Sequence, residues 1–349
     1  MLLSGDDFPL PDGVTPLRIL FMGTPELAAV SLAALLREPA FQVLAAVTQP
    51  DRPRGRDLKL TPAPVKQIAV RAELPVLQPE KARDEKFVAE LKAFAPDLIA
   101  VAAFGQILPK AILDLPRHGC LNVHTSLLPK YRGAAPIQWA IANGDTETGV
   151  TIMKMDVGMD TGAILAQRTT PIAAEDNGQT LHDRLAQLGA ELLVQTIPDY
   201  TAGRIQPHPQ NNALATHAPK IKKEDGHIDW RQPAKTIGHR LRAFTPWPGA
   251  FTLLFGVPPS GGSVAAGPES PKGGTPNAPR PRLLKIWSAQ VTDVTGAAGK
   301  ILAADKSGIV VACGEGALKI LELQLEGGRR MTAPDFLLGH PLKPGDRLG

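Results

Sequence analysis

Asp97-Leu98-Ile99-Ala100-Val101-Ala102-Ala103, closed by Phe104-Gly105 and followed at Cys120-Leu121-Asn122-Val123-His124 by another strong strand, is the stretch of this 349-residue chain that decides its fold. The first run is short for a helix and almost uninterrupted by polar residues, the pattern of a strand buried on both faces. Upstream, Arg18-Ile19-Leu20-Phe21-Met22 reads the same way and stops at Gly23-Thr24-Pro25, with a helical pattern following to about Leu36. Phe41 to Thr48 gives another strand, and Pro64 to Ala72 and Asp84 to Phe94 give helices. Buried strands separated by helices require crossover connections. The expected architecture is therefore α/β: a mostly parallel, Rossmann-like sheet with helices on both faces.

Beyond Gly203 the pattern changes. The polar stretch Gly203 to Pro219 reads as a linker, and short runs follow at Phe251–Phe255, Leu283–Trp287, Gly308–Ala312 and Ala317–Leu321, divided by Gly-rich turns. Such spacing suggests a small OB-like β-barrel. Residues 256–282 hold 13 Gly or Pro in 27 positions, too little apolar surface to offset ordering, so a flexible insertion is expected there. The organisation read from the chain is an extension at 1–16, a catalytic domain at 17–203, a linker at 204–219 and a second domain at 220–349.

Composition removes whole classes. With 43% hydrophobic and 21% charged residues the chain can build ordinary cores. No apolar run approaches the ~20 residues of a membrane span, and acids stand near the N-terminus where a secretory signal needs basic residues. Cys120 and Cys313 form no CxxC pair, which fits a reducing cytoplasm. The eight histidines show no HxH or HxxxH spacing, so no metal is expected. Neither GxGxxG nor the P-loop pattern occurs, which argues against nicotinamide and ATP chemistry. Charge is uneven: residues 1–203 carry 19 Lys/Arg against 23 Asp/Glu, and residues 204–349 carry 19 against 11. A basic second half suggests an anionic macromolecular partner.

The densest polar cluster begins within the strand Cys120–His124. Strand alternation puts Asn122 and His124 on one face about 7 Å apart, at the carboxyl end where parallel α/β folds place their sites. Downstream, Met155-Asp156-Val157-Gly158-Met159-Asp160-Thr161-Gly162 sets two carboxylates in a Gly-punctuated loop that can bring one of them to the imidazole and fix its tautomer. Asn, His and Asp in one cleft supply an oxyanion donor and acid/base groups, the parts needed for acyl transfer to an amine. Whether Asp156 or Asp160 plays that role, or merely caps a turn, the residues leave open.

These motifs carry a resemblance. Asn122-x-His124 followed by Ser126-Leu127-Leu128-Pro129, the run Lys130-Tyr131-Arg132-Gly133-Ala134-Ala135-Pro136-Ile137-Gln138-Trp139 and the Asp156–Gly162 loop together resemble the 10-formyltetrahydrofolate-dependent formyltransferases across nearly the whole chain. Thr48-Gln49-Pro50-Asp51-Arg52-Pro53-Arg54-Gly55-Arg56 and Arg242-Ala243-Phe244-Thr245-Pro246-Trp247-Pro248-Gly249 in the basic second domain point to the branch that formylates methionyl initiator tRNA. The resemblance implies that Asn122 polarises the formyl oxygen, that His124 supports the tetrahedral intermediate and proton transfer, and that Asp160 assists His124. It implies a folate site lined by Ser126, Leu127, Leu128 and Pro129, with Phe104, Gly105, Gln106, Ile107 and Gly158 contributing contacts to the pterin ring. Arg56 would reach the tRNA acceptor end within a basic loop of Arg52, Arg54 and Lys59, while Lys220, Lys222, Lys223, Arg240 and Arg242 are candidates for phosphate contact. The expected partners are 10-formyltetrahydrofolate and the tRNA, with no membrane, no metal and a single copy of the chain. Formylation of a nucleotide-linked sugar amine is the alternative enzymatic reading. A non-catalytic nucleic-acid-binding module would have no use for the Asn, His and Asp set.

Overall fold

The computed structural model describes residues 15–54, 59–255 and 281–349. The N-terminal extension up to residue 14, Arg56, and residues 256–280 of the expected insertion lie outside the described residues. The chain divides into two units, one made from the chain up to Trp139 with Thr146–Lys220, the other from Ala140–Asp145 with Ile221–Gly349.

In chain order the elements up to residue 218 are β1 (Leu17–Gly23), α1 (Glu26–Arg37), β2 (Phe41–Val47), β3 (Arg52–Arg54), β4 (Lys59–Thr61), α2 (Pro64–Arg71), β5 (Val76–Leu77), α3 (Glu85–Ala93), β6 (Leu98–Ala102), α4 (Lys110–Leu113), β7 (Cys120–His124), β8 (Arg132–Gly133), α5 (Pro136–Ala142), β9 (Glu147–Lys154), β10 (Ile164–Pro171), α6 (Gly178–Thr201) and β11 (His217–Ala218). Seven strands form one sheet in the order β10-β9-β7-β6-β1-β2-β5. From β5 to β7 all pairings are parallel, as the alternation of apolar runs and helices predicts; β9 and β10 extend the sheet antiparallel. Every residue of β6 and β7 is buried; β6 is apolar throughout, whereas β7 carries Asn122 and His124 alternating with Leu121 and Val123.

The pleat of β7 decides the position of the site. Cys120 packs with Leu20, Met22, Ile99 and Val101 beneath Phe87, Leu91 and Ile112 of α3 and α4. Val123 faces α6, so close that a Cβ on Gly189 would come within 2.7 Å of its Cγ1. Alternation then assigns Asn122 and His124 to the Cys120 face, at the carboxyl end of the strand.

Gly203 to Pro219, a linker by composition, is built into the first unit. His208 and Ile164 exchange backbone hydrogen bonds, Arg132 N–H donates to the Thr216 carbonyl at 2.8 Å, and β11 pairs parallel with β8. Gln210, Asn212 and Thr216 have side-chain partners at Arg132 and Tyr131 in that unit, while much of the segment is exposed, as its polarity predicts.

The second unit adds α7 (Ala234–Ala243), β12 (Ala250–Leu254), β13 (Arg282–Thr292), β14 (Ile301–Asp305), β15 (Gly308–Ala312), β16 (Ala317–Leu325), β17 (Met331–Thr332) and α8 (Ala333–Gly339). The strands run antiparallel in the order β12-β13-β16-β15-β14, with β17 on β16. The last residues bridge the two edges: Arg347 pairs with Lys300 just before β14, and Leu348 pairs with Leu254 at the end of β12. The sheet thereby curls as an OB-like barrel around Leu284, Ile286, Ile309, Leu318, Ile320 and Phe336. Among the described residues no helix is long and apolar enough to cross a membrane.

Candidate active site

His124 is 5% exposed at the end of β7, and its Nε2 lies 2.9 Å from the Tyr131 carbonyl oxygen. A carbonyl only accepts, so Nε2 carries the proton and the neutral ring keeps its open lone pair on Nδ1. Nδ1 faces Asp160 Oδ2 at 3.7 Å, too long for a direct hydrogen bond and close enough for strong charge attraction once the ring is protonated. The tautomer is therefore fixed by a backbone carbonyl, where the sequence suggested a carboxylate. Asn122, also buried, has no hydrogen-bond partner for its side-chain amide among the described residues. A polar group so placed at a strand end is available to a ligand.

The loop after His124 is held from β9 and β10. Thr151 Oγ1 donates to the Ser126 carbonyl at 2.7 Å and accepts from Leu128 N–H at 3.1 Å, while Gln167 Nε2 donates to the Leu128 carbonyl at 2.9 Å. Ser126 Oγ donates to the Lys130 carbonyl at 2.6 Å. Leu127 lies against Gly149, where a Cβ would come within 2.6 Å of Leu127 Cδ2 and 2.2 Å of the Arg168 carbonyl oxygen. The Ser126–Pro129 turn is thus tied to β9 and β10 by its backbone.

The two acids of the downstream loop have separate tasks. Asp156 Oδ1 accepts from Gly158 N–H at 3.0 Å and Thr161 Oγ1 at 2.7 Å, a turn cap that leaves no room for a side chain at Gly158. Asp160 reaches the site: its Oδ2 accepts from Gly133 N–H at 2.8 Å while facing His124. Asp160 holds φ at 52°, a left-handed conformation uncommon outside glycine. Gln210 supports it by donating from Nε2 to the carbonyls of Asp160 (2.8 Å) and Gly162 (2.7 Å). Gln210 Oε1 accepts in turn from Nε and Nη2 of the buried Arg132 at 3.0 and 2.8 Å. Sequence reasoning gave no role to Tyr131, Arg132, Thr151, Gln167 or Gln210; Arg132 lay inside a quoted motif, and Gln210 inside the supposed linker.

Phe104 is buried, its carbonyl accepting from Thr24 Oγ1 and Gln49 Nε2, both at 3.2 Å. Gln106 spends its side chain on Ala82 N–H and the Pro79 carbonyl. Ile107, Val157 and Met159 are exposed. Cys120 is a packing residue, its thiol pushed up to about 12 by burial. Among the described residues no group of three His, Cys, Asp or Glu could hold a metal ion.

Of the basic residues, Arg52 is exposed on the β3–β4 hairpin, in which the backbones of Arg54 and Lys59 pair. The hairpin base is fastened by Lys66, which meets Asp51 at 2.5 Å and Gln78 at 2.8 Å. Lys220 in the first unit and Lys222 and Lys223 in the second are exposed. Arg240 is engaged within its own unit, Nη2 donating to the Asp225 carbonyl at 2.9 Å and the guanidinium lying 5.1 Å from the Phe244 ring centroid. Arg242 is half-buried at the end of α7.

Comparison with known proteins adds three findings. The family model described as formyl transferase matches residues 17–197, and that of the formyl transferase C-terminal domain matches 220–341. A methionyl-tRNA formyltransferase of Citrifermentans bemidjiense is 49% identical over 336 residues, 96% of this chain and 98% of its own length. Among solved structures, HypX from Aquifex aeolicus in complex with tetrahydrofolic acid aligns with 96% of this chain and 51% of its own, TM-score 0.59 and 18% identity. The sugar 3N-formyl transferase WlaRD aligns with 88% of this chain and 97% of its own, TM-score 0.60 and 17% identity. At those identities the two structures speak to the fold alone.

Proposed function

The chain belongs to the formyltransferase family, and from that premise we propose that it transfers the formyl group of 10-formyltetrahydrofolate to the α-amino group of methionyl initiator tRNA, yielding formyl-methionyl-tRNA for translation initiation. It does so as a monomer in the cytoplasm. The chemistry rests on one arrangement: an imidazole whose open nitrogen faces a carboxylate, beside an amide with no hydrogen-bond partner among the described residues. The acceptor rests on an identity that extends through both units, whereas the likeness to a sugar formyltransferase concerns the fold.

The folate supplies the formyl carbon and is held against the Ser126–Pro129 turn, between Phe104–Ile107 and the loop carrying Gly158. Asn122 donates its amide N–H to the formyl oxygen and stabilises the charge that develops there. As the new C–N bond forms, Nδ1 of His124 takes the amine proton, because Nε2 is already committed to Tyr131. The resulting imidazolium lies beside Asp160, whose Oδ2 is held in place by Gly133 N–H. His124 returns the proton to the departing folate nitrogen as the old C–N bond breaks. The transfer is redox-neutral and needs no external oxidant or reductant. Arg52, Arg54, Arg56 and Lys59 guide the acceptor end, and Lys220, Lys222, Lys223 and Arg242 meet the phosphate backbone. The test is to supply 10-formyltetrahydrofolate with either methionyl-tRNA or a nucleotide-linked amino sugar and follow tetrahydrofolate release. Turnover with the tRNA alone is expected; turnover with the sugar alone overturns the reading.

A further inference from the structure

We propose that Gln210 is a positioning residue for this reaction: by tying the backbone on either side of Thr161 to the buried Arg132, it holds the Asp160 carboxylate against His124. The proposal rests on the assignment of Asp160 to the reacting site. Asp160 adopts a left-handed backbone, less costly for Asp than for most side chains but still disfavoured, so its neighbours must help to hold it. Gln210 provides that constraint. Both of its amide hydrogens are used, on the carbonyls of Asp160 and Gly162, and its oxygen takes two bonds from the Arg132 fork. The amide cannot rotate without losing all four.

Arg132 makes the anchor rigid. It is 6% exposed and has no carboxylate within 4 Å among the described residues, its remaining bond being from Nη2 to Asn212 Oδ1 at 2.8 Å. A buried cation resting on amide oxygens polarises those amides and strengthens the bonds they donate. The residue after Arg132 closes the arrangement, since Gly133 N–H holds Asp160 Oδ2. Asp160 is thus gripped at its carbonyl through Gln210 and at its carboxylate through Gly133, and both grips originate in β8. A glutamate at position 210 would satisfy Arg132 more strongly, yet it would present oxygen to two carbonyl oxygens. That asymmetry separates positioning from mere stabilisation.

The experiment compares Gln210→Glu and Gln210→Met in the full chain, reading kcat, both KM values, Tm and amide hydrogen exchange by NMR. A displaced carboxylate predicts a fall in kcat of about 10- to 100-fold in both variants, with KM changed less than about twofold. Gln210→Glu keeps more of its Tm than Gln210→Met because Arg132 retains a partner. The Gly133 amide exchanges at least about tenfold faster in both, while the Arg132 and Ala135 amides, bonded to the Thr216 and Ala218 carbonyls, stay protected. The proposal is overturned if a folded variant keeps kcat within twofold, if Gly133 protection is unchanged, or if all three amides loosen together. Exchange needs no substrate, so it decides on Gln210 even if the tRNA-dependent reaction were absent. Unchanged Gly133 exchange in an active enzyme would remove this proposal and leave the assigned reaction standing.

Discussion

Asp160→Asn removes one charge and little else, which makes it the sharpest test of the site. The substituted amide keeps an oxygen for Gly133 N–H, so the turn retains its hydrogen bond. What disappears is the attraction between the carboxylate and the imidazolium formed when His124 takes the amine proton, across 3.7 Å. Two unit charges about 4 Å apart attract by ~1 kcal/mol in bulk water and ~4 kcal/mol at an effective dielectric of about 20. The two side chains are 18% and 6% exposed, which places the pair toward the upper end. A loss of roughly 3 kcal/mol follows, or about 10²-fold in kcat. The assay is steady-state formylation of methionyl-tRNA with both substrates saturating, with Asp156→Asn as the companion. Asp156 bonds only within its own turn, and an asparagine oxygen can replace those acceptors, so less than about fivefold is expected there. If Asp160→Asn retained activity within threefold, or Asp156→Asn proved the more damaging, the pairing of Asp160 with the imidazolium would be refuted.

Asn122→Ala should lower kcat by about 10²–10³ with little change in Tm, because the amide has no partner among the described residues to lose; normal kcat in the folded variant excludes it as the oxyanion donor. The side-chain hydrogen bond from Lys66 holds the Asp51 carboxyl below its ordinary value of 3.8, so its stabilisation is complete above about pH 4 and is lost as pH falls through the lower folded value. The Tm gap between wild type and Asp51→Asn should therefore close on acidification from pH 7 to 2, and a gap independent of pH contradicts the ion pair. Lys222→Ala and Lys223→Ala should each weaken tRNA binding and reduce the log–log salt slope by about one, whereas Arg240→Ala should mainly lower Tm, because its guanidinium serves Asp225 and Phe244. Equal effects of all three on the salt slope would assign Arg240 to the RNA surface.

The parts of the fold legible in the sequence are those fixed by local pattern. Leu98–Ala102 is apolar throughout and buried on both faces, the mark of a central parallel strand, while Cys120–His124 is equally buried and carries Asn122 and His124 on one face. Gly308–Ala312 stands out likewise between glycine turns. Ile301–Asp305 was missed because only Ile301 and Leu302 in it are large apolar residues and it has no alternation; its place is set by pairing with β15 and by the returning C-terminus. The antiparallel edge of the first sheet has the same origin. Glu147–Lys154 has strand character, but its direction is determined by the connection through α5 and not by its composition.

The site divides in the same way. Asn122 and His124 sit two residues apart on one strand, and a period of two suffices to place them together. Asp160 is further along the chain, and residues alone could not choose it over Asp156; the choice is made by Gly133 N–H, which captures one carboxylate, while Thr161 and Gly158 retain the other. The supporting shell was invisible for a stronger reason. Gln210 and Thr216 lie about 80 residues from Arg132 and Tyr131, in a segment whose polarity marks it as solvent-facing by any local rule. Polar residues that saturate one another across such a distance have the composition of a loop and the rigidity of a core, and hydrogen-bond bookkeeping on the folded chain is what tells the two apart. An active site built on a strand end shows its reacting groups in sequence, because they share a local period. The groups that hold those residues in register have no period in common, which is why Gln210 emerges only when each bond on Asp160 is traced to its origin.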